Sequence, residues 1–325
     1  MGTLLIDRKD VELRRDGARL LVFEQGRRTG SVPVSHLQRV VIQNRALLDS
    51  NILGALAEHG VGLVVINQRR PQATASLPGH AHNDAVRRLS QYRCSLDEDW
   101  RRQWSARLVL RKLRAQRLLL VRALAQRPDE RHALVKAIRA LEQRRDNLND
   151  GVDLDRNRIR GFEGAAAAAY FSGFARLFPP ALAFTGRNRR PPRDPVNACL
   201  SLAYTLLNAD AVLALHAAGL DPMLGFYHDP DFGRESLACD FIEPLRPRVD
   251  EWIWTLFRQR QLRVEYFFKD KGACLLNKTG RKTFYAEWEG CALPLRRALR
   301  RSAQWLARVF SADSLASSQF GAGHE

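Results

Sequence analysis

Residues 101 to 145 hold 14 Lys/Arg against three Asp/Glu, with Leu108, Leu113, Leu118, Leu119, Leu120 and Leu124 interleaved. Leucines at helical spacing inside so basic a run predict an amphipathic helix, broken around Pro128-Asp129, whose polar face is strongly positive. Such a face is solvated, or a rail for a DNA backbone, or a docking side for an acidic partner. In each case it commits the middle of the chain to α structure.

The first 80 residues are of another kind. Thr3 to Ile6, Val11 to Leu13, Arg19 to Phe23, Ser31 to Val34 and Val40 to Ile42 are short β-rich pieces punctuated by Asp16-Gly17 and Gln25-Gly26, a pattern of antiparallel hairpins. Ser50 stands where it would cap a helix from Asn51 to His59 ended by Gly60, and Gly62 to Asn67 reads as a fully apolar, buried strand. The texture changes at Pro78-Gly79. Asp84 to Gln91 opens the helical part, with further helices expected over Ile159 to Phe178, Pro195 to Ala218, Ser236 to Gln261 and Leu293 to Phe310. The expected fold is therefore α+β and multidomain, a small N-terminal β-rich domain at 1–80 followed by a larger, mainly α-helical domain at 84–310. A disordered tail is expected at 311–325, and two domains suit a chain of 325 residues.

The net charge of +17, from 52 Lys+Arg and 35 Asp+Glu, points to a polyanionic partner. Seven of the 52 are lysines and the rest arginines, whose forked guanidinium suits phosphate geometry. The five cysteines are an odd number without zinc or CxxC spacing, which predicts reduced thiols and a cytoplasmic protein. Asp7 and Arg8 interrupt any signal-peptide run at the start, and nowhere are 18 consecutive residues apolar.

Three places could carry chemistry. Glu163 precedes five alanines, on a helix thin enough for a neighbour to approach closely; a carboxylate there needs compensation, and Arg160 at i−3 is the nearest candidate. His228 follows a helix end at Gly219-Leu-Asp-Pro222. Asp240 and Glu243, at i and i+3, share one helix face, and Pro244 would distort the helix and turn Glu243 toward His228. An imidazole with two or three carboxylates suits Mn²⁺ or Mg²⁺ better than zinc, and with the positive charge this suggests phosphodiester chemistry on nucleic acid. The competing readings are a basic nucleic-acid-binding scaffold whose carboxylates pair with arginines, and a simple metal-dependent nuclease. His80-x-His82 lacks a third ligand, and Tyr266-Phe267-Phe268 fits core better than base stacking.

Taken in order, Glu163-Gly-Ala-Ala with Tyr170-Phe171, Pro191-Pro-Arg-Asp194-Pro-Val-Asn197-Ala with Ser201 to Tyr204, Gly219-Leu-Asp-Pro222 with His228, and Ser236-Leu-Ala-x-Asp240-x-x-Glu243-Pro-x-Arg246-Pro resemble the CRISPR-associated adaptation integrases. These are metal-dependent DNA endonucleases that insert new spacers into CRISPR arrays. The resemblance covers the chain except its tail. It implies that Glu163, His228 and Glu243 hold the metal, Mg²⁺ or Mn²⁺, with Asp240 beside it as a further catalytic carboxylate. It also implies transesterification, in which DNA 3′-OH ends attack CRISPR repeat DNA. The partners it implies are a second copy of the chain, dimerised through the β-domain, and a small ferredoxin-like adaptation protein. Around that site Arg187, Arg189, Arg190 and Arg193 are expected to contact phosphates, Tyr204 to position DNA, and Asn197 to cap a helix or support the site.

Overall fold

The computed structural model describes residues 2–66, 75–77, 84–150, 154–188 and 191–319. His80, His82, Arg189 and Arg190 lie outside them. The β-rich region comprises β1 (Gly2–Ile6), β2 (Val11–Asp16), β3 (Arg19–Glu24), β4 (Arg27–Pro33), β5 (Leu37–Ile42), β6 (Ala46–Leu48), helix α1 (Ser50–Glu58), β7 (Gly62–Val65) and β8 (Ala75–Leu77). They form two four-stranded sheets, ordered β1-β5-β7-β8 and β4-β3-β2-β6.

The expected hairpins exist, since β2-β3 and β3-β4 are antiparallel, with Gln25 and Gly26 both at positive φ in the second turn. Three other pairings correct the antiparallel expectation: β1-β5, β5-β7 and β2-β6 are parallel, while β7-β8 is antiparallel. Apolar alternation marks which faces of a strand are buried and carries no information about the neighbour's direction. In β5 and β7 both faces are covered. Val40, Ile42 and Leu63 belong to the core of the β-region, while Val41 and Val64 belong to the core of the helical region. The cap of α1 is Asp49, one residue earlier than expected, whose carboxylate accepts the Asn51 N–H.

The helical region comprises α2 (Ala85–Leu96), α3 (Glu98–Gln126), α4 (Arg131–Asp150), α5 (Arg156–Ala175), α6 (Pro195–Ala217), α7 (Ser236–Ile242) and α8 (Arg246–Arg258). The hairpin β9 (Phe267–Asp270) with β10 (Ala273–Leu276) follows, and then α9 (Lys278–Gln319). The basic run is split at Pro128 into α3 and α4 as expected. Ser236 to Gln261 is two helices joined by a 3₁₀ turn at Glu243–Leu245, the break that Pro244 imposes. Phe267 stacks on Phe257, confirming that part of the aromatic run as core, whereas Phe268 is exposed. α9 begins well before Leu293, accommodates Pro294, and stays helical past Ser311 as far as Gln319.

α6 is long and apolar enough to span a membrane by length and composition, yet most of it is buried in protein. It packs on the β-region so closely that a Cβ at Gly62 would stand 2.8 Å from Leu213. At the same interface Arg39 of β5, buried, pairs with Asp210 of α6, which Arg296 of α9 also reaches at 3.1 Å. Cys199, Cys239, Cys274 and Cys291 are free thiols.

Candidate active site

His228 sits on the loop between α6 and α7. That loop leaves α6 through Gly219 at positive φ and presses Gly225 against the α7 backbone; a Cβ there would lie 2.7 Å from the Ser236 carbonyl carbon. Asp240, on α7 and fully buried, gathers the loop. Its Oδ2 accepts the N–H groups of Phe226 (2.8 Å) and Tyr227 (3.0 Å), and its Oδ1 accepts the His228 N–H (3.0 Å). His228 Nδ1 lies 2.7 Å from the same Oδ1. Since Asp240 offers only acceptors, Nδ1 carries the proton and Nε2 presents its lone pair. Nε2 lies 4.0 Å from Glu243 Oε1.

Glu243 is aimed by the 3₁₀ turn that Pro244 begins. Its Oε1 forms an ion pair with Arg246 at 2.7 Å, and its Oε2 lies 2.5 Å from Lys112 Nζ. Burial alone would raise the Glu243 pKa, but Arg246 and Lys112 hold it down at about 2. Glu163 of α5 contacts the same ammonium, so Lys112 bridges the two carboxylates. This replaces the expected Glu163–Arg160 pair. Arg160 donates instead to the Tyr227 carbonyl and to Asp229. Burial would lower the Lys112 pKa, but Glu243 and Glu163 outweigh it and hold the amine charged.

The alanine run turns only Ala166 fully into the core. Gly161, Gly164, Ala165 and Ala168 are exposed, and nothing lies near where a Cβ on either glycine would stand. The close helix approach comes later on α5, where Gly173 meets Ala137 of α4.

Among the described residues no three His, Cys, Asp or Glu side chains form a ready-made metal cage. Glu163 and Glu243 meet through Lys112. The donor set nevertheless fits a small divalent cation: two carboxylates and an imidazole nitrogen with a free lone pair, with a cation already seated between the carboxylates. Glu243 Oε2 is buried, with the Lys112 ammonium 2.5 Å away. Asp240, with both oxygens engaged by the His228 loop, supports the imidazole and has no lone pair directed at the carboxylates.

Around this centre, Asp229 receives Arg101, Arg156 and Arg160, and Glu98 joins Arg101 and Arg156. Burial opposes ionisation of Asp229, but these arginines hold its carboxyl well below the usual carboxylate range. Tyr204 is buried and donates to Asp250, which also accepts the Tyr170 hydroxyl at 2.7 Å. Tyr204 thus stands behind the site, beneath the Arg246 guanidinium at 4.9 Å from the ring centre, rather than on a DNA-facing surface. Arg187 is turned inward, donating to Asn197 and Ser201, while Arg193 is exposed. The cap of α6 is Asp194. Asn197 pins the preceding loop through the Gly186 carbonyl and the Asn188 N–H.

The site residue missed in the sequence is Lys112, and a signal for it was there. Ser105, Val109, Lys112, Gln116, Leu119 and Ala123 recur at alternating spacings of four and three and are all buried, so Lys112 belongs to the buried seam of α3 and not to its basic face.

Residues 4–290 match the profile of the family described as CRISPR associated protein Cas1. The chain is 37% identical over 316 residues to CRISPR-associated endonuclease Cas1 1 of Thermodesulfovibrio yellowstonii, covering 95% of this chain and 96% of that one. In fold it is similar to a Cas1 protein from Thermotoga maritima, with a TM-score of 0.81 at 19% identity, covering 95% of this chain and 97% of that one. A chain of a solved Cas6-RT-Cas1–Cas2 complex gives 0.80 at 21% identity, covering 96% of this chain and 35% of that one.

Proposed function

The chain belongs to the Cas1 family of CRISPR-associated proteins; we propose that it is an endonuclease and integrase of CRISPR adaptation that joins the 3′-OH ends of captured DNA to the CRISPR repeat at Glu163, His228 and Glu243, with Mg²⁺ or Mn²⁺ bound there. The observation that carries this reading is the convergence of both carboxylates on one cationic point, with His228 Nε2 facing Glu243. In joining, the oxygen of the incoming 3′-OH bonds to the phosphorus at the repeat's 5′ boundary while the bond from that phosphorus to the flanking nucleotide's 3′ oxygen breaks. One hydroxyl is consumed and one released, and no phosphodiester is lost.

A bound divalent cation would polarise the phosphoryl oxygen and stabilise charge on the attacking and leaving oxygens. The chain's own part is orientation. Asp240 fixes the imidazole tautomer, Arg246 and Lys112 keep Glu243 ionised, and the arginines around Asp229 anchor the His228 loop. Arg193, with Arg107, Arg111 and Arg114 exposed on α3, would hold DNA phosphates. The chain would work in the cytoplasm as a homodimer with a small ferredoxin-like partner; its likeness to a chain solved in a complex that includes Cas2 supports only that it has a Cas partner.

The test is a strand-transfer assay with the partner, a duplex with free 3′-OH ends and a plasmid carrying the repeat, in Mn²⁺ or EDTA, for wild type and His228→Ala. Joining that needs Mn²⁺ and His228 is expected. Cleavage without joining would leave a simple nuclease, and DNA binding with neither activity would leave a basic scaffold.

A further inference from the structure

Lys112 is a buried ammonium inside a helix seam that is otherwise uncharged over Ser105, Val109, Gln116, Leu119 and Ala123. A charge removed from water is tolerated only when paired, and its two partners are the carboxylates of Glu163 and Glu243. On the reading above, those are the groups that hold a divalent cation. An ammonium 2.5 Å from Glu243 Oε2 and a metal ion cannot occupy the same oxygens. We propose that Lys112 is an exchangeable counter-cation of this site: a divalent cation and the Lys112 ammonium compete for Glu163 and Glu243, and the displaced ammonium passes to a non-bridging oxygen of the bound DNA phosphate.

The destination follows from the anions nearby. Glu243 Oε1 is engaged by Arg246, and both oxygens of Asp240 by the His228 loop. Asp250 is held by Tyr170 and Tyr204, and Asp229 by three arginines. Each of these carboxylates already has its donors, so a Lys112 that leaves Glu163 and Glu243 needs an anion from outside. The reaction supplies one, a phosphodiester. The four-carbon stem of lysine lets the ammonium turn without movement of α3. Cation loading and DNA binding are then coupled, each strengthening the other by the same factor.

The inference rests on the proposed metal site, and the experiment separates the two. Mn²⁺ affinity is measured by titration calorimetry on the full chain, with and without a short DNA duplex, for wild type, Lys112→Met, Lys112→Arg and His228→Ala. Lys112→Met is expected to bind Mn²⁺ about tenfold more tightly than wild type without DNA, and to lose most of the gain in affinity that DNA gives wild type. Lys112→Arg, which keeps the competing charge, is expected to bind no more tightly than wild type. Equal or weaker Mn²⁺ binding by Lys112→Met would overturn the inference. If His228→Ala binds Mn²⁺ as wild type does, it is the metal site that fails. If Lys112→Met is unstable, its melting temperature decides. A larger rise with Mn²⁺ than wild type shows supports the exchange, and a smaller or equal rise overturns it.

Discussion

Replacing Asp240 by asparagine keeps the shape of the side chain and removes one acceptor. The carboxylate accepts four hydrogen bonds, two on each oxygen, all from the loop 226–228. An amide oxygen can keep the Phe226 and Tyr227 N–H groups. Its NH₂ then faces the His228 N–H, two donors against each other, and faces Nδ1, which must give up its proton to accept. That proton moves to Nε2, where it blocks the lone pair directed toward Glu243. Two bonds to a charged group, each about 1.5–3 kcal/mol, are lost or replaced by a neutral one, so unfolding free energy falls by about 3–4 kcal/mol. Loss of the supporting carboxylate and the wrong tautomer together lower strand joining by about 10–100-fold. Urea unfolding followed by circular dichroism measures the first effect, the strand-transfer assay the second, and ¹⁵N shifts of the His228 ring report the tautomer. A variant within about 1 kcal/mol of wild type, with Nδ1 still protonated and joining intact, would refute the role given to Asp240.

Gly225→Ala places a Cβ 2.7 to 2.9 Å from backbone atoms of Ser236 and His228, which cannot yield as a side chain would; a loss of about 3 kcal/mol in thermal unfolding and of joining activity is expected. Asp210→Asn leaves the buried guanidiniums of Arg39 and Arg296 with Glu289 as the remaining carboxylate between them, and should cost about 3–5 kcal/mol, read as a lowered melting temperature. Burial raises Asp250 from 3.8 to about 6, against the pull of Tyr204 and Tyr170. A carboxyl whose folded pKa exceeds its unfolded one stabilises below the unfolded value, and that stability is lost as pH rises through the folded value. Wild type should therefore lose about 2 kcal/mol relative to Asp250→Asn between about pH 4 and pH 7. A difference between the two proteins that is flat with pH contradicts the shift.

What the sequence determined by itself is local or periodic. Leucine spacing and Pro128 placed α3 and α4, Asp84 and Pro195 stand at the starts of α2 and α6, and Pro244 forced the turn that aims Glu243. The motifs around Glu163, His228, Asp240 and Glu243 carried the family. Each of these signals lies within a few residues of what it specifies. The tertiary structure decided the rest. Whether β5 runs parallel to β1 and β7 depends on how the chain returns across the sheet, which alternation in a strand does not encode. Arg160 is one turn from Glu163, yet Lys112 from another helix takes that carboxylate, because packing α3 against α5 and the turn before α8 puts an ammonium between two buried acids. Asp240 and Glu243 share a helix face in the sequence, and only the fold of the 226–228 loop gave one the imidazole to orient and left the other facing it. Charge pairs in a protein interior are chosen by distance in space and the cost of leaving an ion unpaired, and neither quantity is written in the spacing along the chain.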